Sequence, residues 1–222
     1  MKLPVTMENA LQRQSARDLQ INTIIDVGAA KGSWTRLARK FWPDAKVLMI
    51  EANPYWQNDL KTYCAANKNA QYVLAAASSK CGETSFLGSD TNPMGGSVSK
   101  SQSEKDASQR LPATTLDHEI KRLKLPGPYL IKLDTHGHDR EIMKGATSVL
   151  GNTNLIVAEA YNFGEEQRLF HRMLLFFGKK GFRCIDIADP VFRPADKALW
   201  QLDLFLVPSN RPEFSKKGFQ AN

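Results

Sequence analysis

The sequence predicts a three-layer α/β sandwich on a mostly parallel sheet, with an antiparallel last strand. Three observations predict it. Short apolar runs at residues 24–27, 47–51, 129–134 and 154–159 alternate with segments whose apolar residues recur at helical spacing, the pattern of strands buried on both faces between crossover helices. Gly28 and Gly32 punctuate the passage from the first run to the first such helix. Between residues 182–187 and the final run, 202–207, about fourteen residues intervene and two are prolines. That is too little for a crossover helix, so an antiparallel return is expected.

Taken in order, residues 7–19 read as a polar N-terminal helix that covers an edge or helps to close a ligand site. Strand one and its glycine loop occupy 23–32. Ser33 is the expected N-cap of the next helix, because its hydroxyl can satisfy a free amide; Trp34, Leu37, Ala38 and Phe41 form the helix's inner face. Strand two, 47–51, is followed by Asn53-Pro54, an N-cap and a first-turn proline, and by a helix over 55–67. Strand three is expected at 72–75, and 84–87 adds a short strand outside the usual order. Residues 88–110 are rich in Ser, Asn, Gly and charge. A stretch this long without regular pattern reads either as an active-site lid, with Met94, Gly95 and Gly96 as contact or hinge, or as a passive excursion. A short helix capped by Thr115 precedes strand four at 129–134. One helix is expected over 139–150, strand five over 154–159, a helix over 166–177 and two last strands. The domain plan is an N-terminal segment 1–20, a catalytic domain 21–210 and a polar tail 211–222.

Composition narrows the class. With 222 residues and 42% hydrophobic content, the chain can bury the core of one α/β domain. Cys64, Cys81 and Cys184 are scattered and odd in number, which fits neither a disulfide framework nor a zinc cluster. The first residues carry no signal-peptide pattern and no run is long enough to span a bilayer, so the expected compartment is cytoplasmic. The formal charge of +7 attracts anionic partners without identifying one. Lys121, Arg122 and Lys124, and Arg211, Lys216 and Lys217, read as a solvated face and a loose tail. A homo-oligomer is compatible with this composition.

The chemistry gathers at strand ends. A dinucleotide fingerprint needs glycines at positions one, three and six of the first turn; counted from Gly28, this chain has Ala30 and Ser33 there. The fit to a pyrophosphate is poor, and S-adenosylmethionine, which has none, fits better. Glu51, 23 residues after Gly28, is placed to accept the ribose hydroxyls of an adenosine. Asp26 has two readings, positioning the methionyl amino group or bracing the glycine turn. Gly28, Ala29 and Gly32 in the first loop, and Ala52 and Asn53 after strand two, complete the expected cofactor site. The sheet so described resembles a class I methyltransferase, Rossmann-like, more than a full dinucleotide fold.

The segments DVGAAKGSW, VLMIEANP, TTLDHEI, YLIKLDTHGHDREIMKGA and LIVAEAY resemble the FkbM family of S-adenosylmethionine-dependent methyltransferases over residues 24–181. The resemblance implies O-methylation of a hydroxyl on a sugar, glycan, glycolipid or secondary metabolite. Similar proteins commonly read Val-Glu-Gly where this chain has Thr135, His136 and Gly137, and Glu where it has Asp139.

Methyl transfer needs an aligned acceptor hydroxyl and a base for its proton. Asp134 is the first catalytic candidate, with capping of the next helix as its structural alternative. His136 is the expected base, and His138 is a weaker candidate. Asp134 and Glu159 end neighbouring strands and form a candidate magnesium site. Lys132 is expected to pair with a neighbouring carboxylate. The rival readings are an RNA methyltransferase, which the lack of an aromatic and basic stripe disfavours, and a protein that binds S-adenosylmethionine without turnover.

Overall fold

The computed structural model describes residues 4–87, 96–98, 109–164 and 166–215. Seven strands make the main sheet: β1 (Thr23–Val27), β2 (Lys46–Glu51), β3 (Ala70–Leu74), β8 (Tyr129–Leu133), β9 (Thr153–Tyr161), β10 (Phe182–Phe192) and β11 (Leu199–Pro208). Their spatial order is β10-β11-β9-β8-β1-β2-β3. All neighbours from β9 to β3 run parallel, while β11 is antiparallel to both β9 and β10. β1 and β8 are buried at every residue, which explains why they read as continuous apolar runs.

Helices cover both faces. On one lie α1 (Met7–Ser15), α2 (Ser33–Ala38) and α3 (Gln57–Ala66), whose Leu11, Ala38 and Leu60 join Ile24, Val47 and Phe205 of the sheet in one core. On the other lie α4 (Leu116–Leu123), α5 (Asp139–Lys144), α6 (Thr147–Leu150) and α7 (Phe170–Lys179), whose Leu116, Ile142, Val149 and Phe177 pack on Ile25, Ile131 and Leu204. Arg13 fastens α1 to β10 through Asp186, 2.7 Å away.

Four expectations change. Gly32, not Ser33, occupies the N-cap of α2 in a left-handed conformation, and the helix ends at Ala38, before Phe41. The helix expected over 139–150 is two, broken around Gly145, where a Cβ would stand 2.3 Å from the Ser78 carbonyl oxygen. The short strand expected at 84–87 belongs to β5 (Gly82–Leu87), which joins β4 (Ala76–Ala77), β6 (Ser97–Val98) and β7 (Gln109–Thr114) in a second sheet ordered β4-β7-β5-β6. The stretch read as irregular, 88–110, therefore contains β6 and the start of β7; Met94, Gly95, Lys216 and Lys217 lie outside the described residues. Ala76, Phe86 and Leu111 form a small core beneath this second sheet.

Candidate active site

Three strand ends meet at the site. Val27 pairs with Ile50 on one side and Leu133 on the other. Just beyond, the Gly28 amide donates to the Ile50 carbonyl at 2.9 Å, and the Asp134 amide donates to the Val27 carbonyl at 3.0 Å. Gly28 has φ +79°, and a Cβ there would be 2.0 Å from the Asp134 carbonyl oxygen. Only glycine meets both conditions.

The two loops that follow are joined by Glu51. Its Oε2 accepts the Ala30 amide and its Oε1 the Asn53 amide, each at 2.7 Å. Burial raises the Glu51 pKa against the pull of the Asn53, Ala30 and Ala52 amides. Ala30 holds φ +45°, an unusual conformation for a residue with a Cβ. It occupies the position where a dinucleotide fingerprint has its second glycine.

Beneath the rim runs a row of charge. Asp26 lies beside Lys132 in the β1–β8 register, and Asp203 beside Glu159 in β11–β9. The Lys132 ammonium is 2.8 Å from Asp203 and 3.7 Å from Asp134, the carboxylate pairing expected of it. Burial pulls the Lys132 pKa down, but Asp134, Asp203 and Glu159 more than reverse this and raise it. Burial pushes the Asp26 carboxyl up to about 6 despite the Thr35 hydroxyl, which donates to it at 2.6 Å, and the Lys132 charge. Burial likewise raises Asp139 and, helped by Asp134, Glu159. Glu159 accepts the Tyr161 hydroxyl at 2.5 Å and the Gln201 amide at 3.1 Å, with Arg168 at 3.9 Å.

Above this row opens a cleft of about 670 Å³, its mouth included, walled by Gly28, Ala30, Glu51, Ala52, Trp56, Phe86 and Val98, with Ala75, Ala76 and Ala77. Asp134, Thr135, His136 and His138 form its opposite rim. His136, at φ +50°, has Nδ1 3.0 Å from the Gly96 carbonyl oxygen, and Gly96 lies against the Phe86 ring. His138 Nε2 is 3.2 Å from the Ser78 hydroxyl. Donor atoms of Asp134, His136 and Glu159 come within 4.8 Å of one another.

The remaining sequence candidates support the wall rather than line it. Asp26 accepts the Thr35 hydroxyl of α2. Ala29 is buried, Gly32 caps α2 and the Asn53 side chain accepts the Tyr55 amide at 3.1 Å. Sequence reasoning passed over Trp56, Phe86, Val98, Tyr161, Arg168 and Gln201. Their only available signal was position relative to strands β2, β5 and β9.

The donor set fits S-adenosylmethionine. The Glu51 carboxylate is met by backbone amides and keeps lone-pair capacity for a ribose hydroxyl, and the Ala52, Trp56 and Ala76 side offers an apolar surface for a base.

Comparison with solved structures supports the same fold. A fibrillarin pre-rRNA processing protein of Methanococcus jannaschii matches with a TM-score of 0.52 and 10% identity, over 90% of this chain and 75% of that one. A Klebsiella pneumoniae protein provisionally described as an O-methyltransferase gives 0.51 and 10%, over 93% and 82%. A Pyrococcus horikoshii protein provisionally described as an RNA methyltransferase gives 0.50 and 12%, over 90% and 81%. At these identities the likeness is one of fold, the class I methyltransferase fold. No curated protein sequence matches the chain. The profile of the family described as the methyltransferase FkbM domain matches residues 26–184, from the Asp26 brace through the Asp134 rim and Glu159 into β10, and the chain therefore belongs to the FkbM methyltransferase family.

Proposed function

We propose that the protein is an O-methyltransferase that uses S-adenosylmethionine and acts on a hydroxyl of a sugar, glycan, glycolipid or secondary metabolite. The observation that carries this reading is the rim: a carboxylate, Asp134, and an imidazole, His136, face the same cleft as Glu51. S-adenosylmethionine supplies an electrophilic methyl group on a sulfonium. The protein's share is to exclude water, orient the hydroxyl and receive its proton.

Glu51 fixes the nucleoside end, and the Gly28–Asp134 contact sets the distance from that end to the rim. The Gly96 carbonyl can only accept a hydrogen bond, so His136 donates to it from Nδ1 and presents Nε2 as an acceptor. Asp134 orients the hydroxyl, and Nε2 of His136 takes its proton.

An aromatic shelf supports a ring-shaped acceptor. Phe163 stacks on Trp200 with centroids 5.8 Å apart, and Tyr161, bonded to Glu159, meets Trp200 edge-on at 6.2 Å. Trp200 is 37% exposed, enough ring to carry the apolar face of a sugar.

The test is transfer of an isotopically labelled methyl group to a panel of glycosides, alcohols and structured RNA, with the product bond located by mass spectrometry. A methyl ether on a glycoside or alcohol is expected. Methylation of RNA alone, or saturable cofactor binding with no transfer to any acceptor, overturns the proposal.

A further inference from the structure

Asp134, His136 and Glu159 form the tightest group of metal-ligating side chains among the described residues, with one donor atom from each inside 4.8 Å. Donors shared by one divalent ion lie at most about 4.2 Å apart, twice a typical bond of about 2.1 Å. Closing on an ion therefore asks for side-chain adjustments of under about 1 Å. We propose that this group binds one divalent first-row transition-metal ion, of the manganese or cobalt type, in preference to magnesium.

Two further features of the surroundings point to such a ligand. The first is outer-shell support. A ligating histidine characteristically donates its other ring N–H to a carbonyl or carboxylate, and ligating carboxylates are themselves hydrogen-bonded. His136 Nδ1 is tied to the Gly96 carbonyl at 3.0 Å, which leaves Nε2 for the ion. Glu159 is steadied by Tyr161 at 2.5 Å and Gln201 at 3.1 Å. The second is charge balance. Asp134 and Asp203 lie 3.7 and 2.8 Å from the Lys132 ammonium, and Glu159 lies 3.9 Å from Arg168, so three carboxylates share these two cations. The carboxylates outnumber their partners, and a cation between Asp134 and Glu159 would pair with the excess.

The imidazole decides the metal class. Two carboxylates alone are the hard oxygen set that magnesium accepts; one imidazole and two carboxylates with open positions suit manganese, iron, cobalt or zinc. This departs from the magnesium expected from the sequence, where the strand-end pair was read as the ligands and His136 as the base. If the cleft is the methyl-transfer site proposed above, an ion here takes the acceptor hydroxyl in an open position and lowers its pKa. With Nε2 of His136 on the ion, the base role passes from His136 to the Asp134 oxygen left outside the coordination sphere, which receives the proton.

The test uses purified full-length protein stripped with chelator, with neither cofactor nor acceptor present. Mn2+ is titrated by calorimetry and by the loss of its free-ion electron paramagnetic resonance signal, and Co2+ by its visible absorption. Binding of one ion per chain is expected, weakened at least tenfold in His136→Gln and in Glu159→Gln and unchanged in His171→Gln. A tenfold excess of Mg2+ should not displace Mn2+. Circular dichroism and thermal melts confirm that each variant is folded, and Asp134→Asn replaces any that is not. Folded, stripped protein that binds neither Mn2+ nor Co2+, binding that survives both substitutions, or ready displacement by Mg2+ overturns the inference. Binding without methyl transfer to any acceptor removes the proposed function and leaves the ion site, whereas methyl transfer by stripped protein that binds no ion does the reverse.

Discussion

Gly28 and Asp134 touch through their backbones: a Cβ on Gly28 would be 2.0 Å from the Asp134 carbonyl oxygen. The loop after β1 and the loop after β8, which together edge the cleft, are thereby one rigid block. Replacing Gly28 with Ala adds a methyl group to this contact and imposes φ +79° on a residue with a Cβ. Overpacking of this kind costs about 1–3 kcal/mol, and the left-handed backbone about 1–2 more. Gly181 has a similar φ, +83°, but nothing within 4 Å of its Cβ position. Gly181→Ala should lose only the backbone part. Urea denaturation of the two variants checks the difference, and equal losses would contradict the contact.

Glu51 makes the second prediction. Both its oxygens are engaged by amides at 2.7 Å, so Glu51→Gln turns an NH2 group toward an amide N–H. Losing one such charged hydrogen bond costs about 1.5–3 kcal/mol. S-adenosylmethionine binding measured by calorimetry should weaken at least tenfold, with a lower melting temperature. An unchanged dissociation constant would place the nucleoside elsewhere.

Glu51 and Ala30 show where the sequence was legible and where it was not. Strand β2 declared itself as a buried run ending in a carboxylate, and the same pattern exposed β1, β8 and β9, because strands covered on both faces have no polar register to hide. The partner amide of Glu51 comes from Ala30, whose left-handed conformation is enforced by its surroundings and signalled by nothing in its side chain. β7 was invisible for a related reason. Its sequence, QRLPAT, has a proline and weak alternation, and it is a strand because β4 and β5 flank it. The break at Gly145 comes from Ser78, far away in sequence. Local pattern reports what a segment prefers, and these segments are shaped by distant contacts.

Asp26 predicts a pH signature in stability. Its carboxyl is raised to about 6 by burial, from about 4 when unfolded. The folded state then binds the proton more tightly. Asp26 favours folding below about pH 4, and that advantage is lost as pH rises through 6, up to roughly 3 kcal/mol. Asp26→Asn keeps an oxygen for the Thr35 hydroxyl and removes the charge. The variant should therefore gain stability relative to wild type on going from pH 4 to pH 7. Parallel chemical denaturation at the two pH values measures this, and a gain that shrinks toward pH 7 would mean that Lys132 neutralises Asp26 fully.

Lys132 tests whether the charge row is held by one cation. It is 4% exposed, 2.8 Å from Asp203 and 3.7 Å from Asp134, and Glu159 contributes to the field that raises its pKa. Lys132→Met keeps the length of the side chain and strands these carboxylates in the sheet, a loss of about 3–5 kcal/mol for a broken buried pair. Asp203 should carry most of that loss, because its carboxylate is the closer one and is far less exposed than that of Asp134. The double variant Lys132→Met with Asp203→Leu should then recover much of the stability, since an apolar pair can replace a buried ion pair at little cost. Denaturation of the two single variants and the double variant closes the cycle. Recovery in the double variant assigns Lys132 a mainly structural role beside Asp203, whereas a loss that persists would mean that the ammonium's principal partners are Asp134 and Glu159 at the rim.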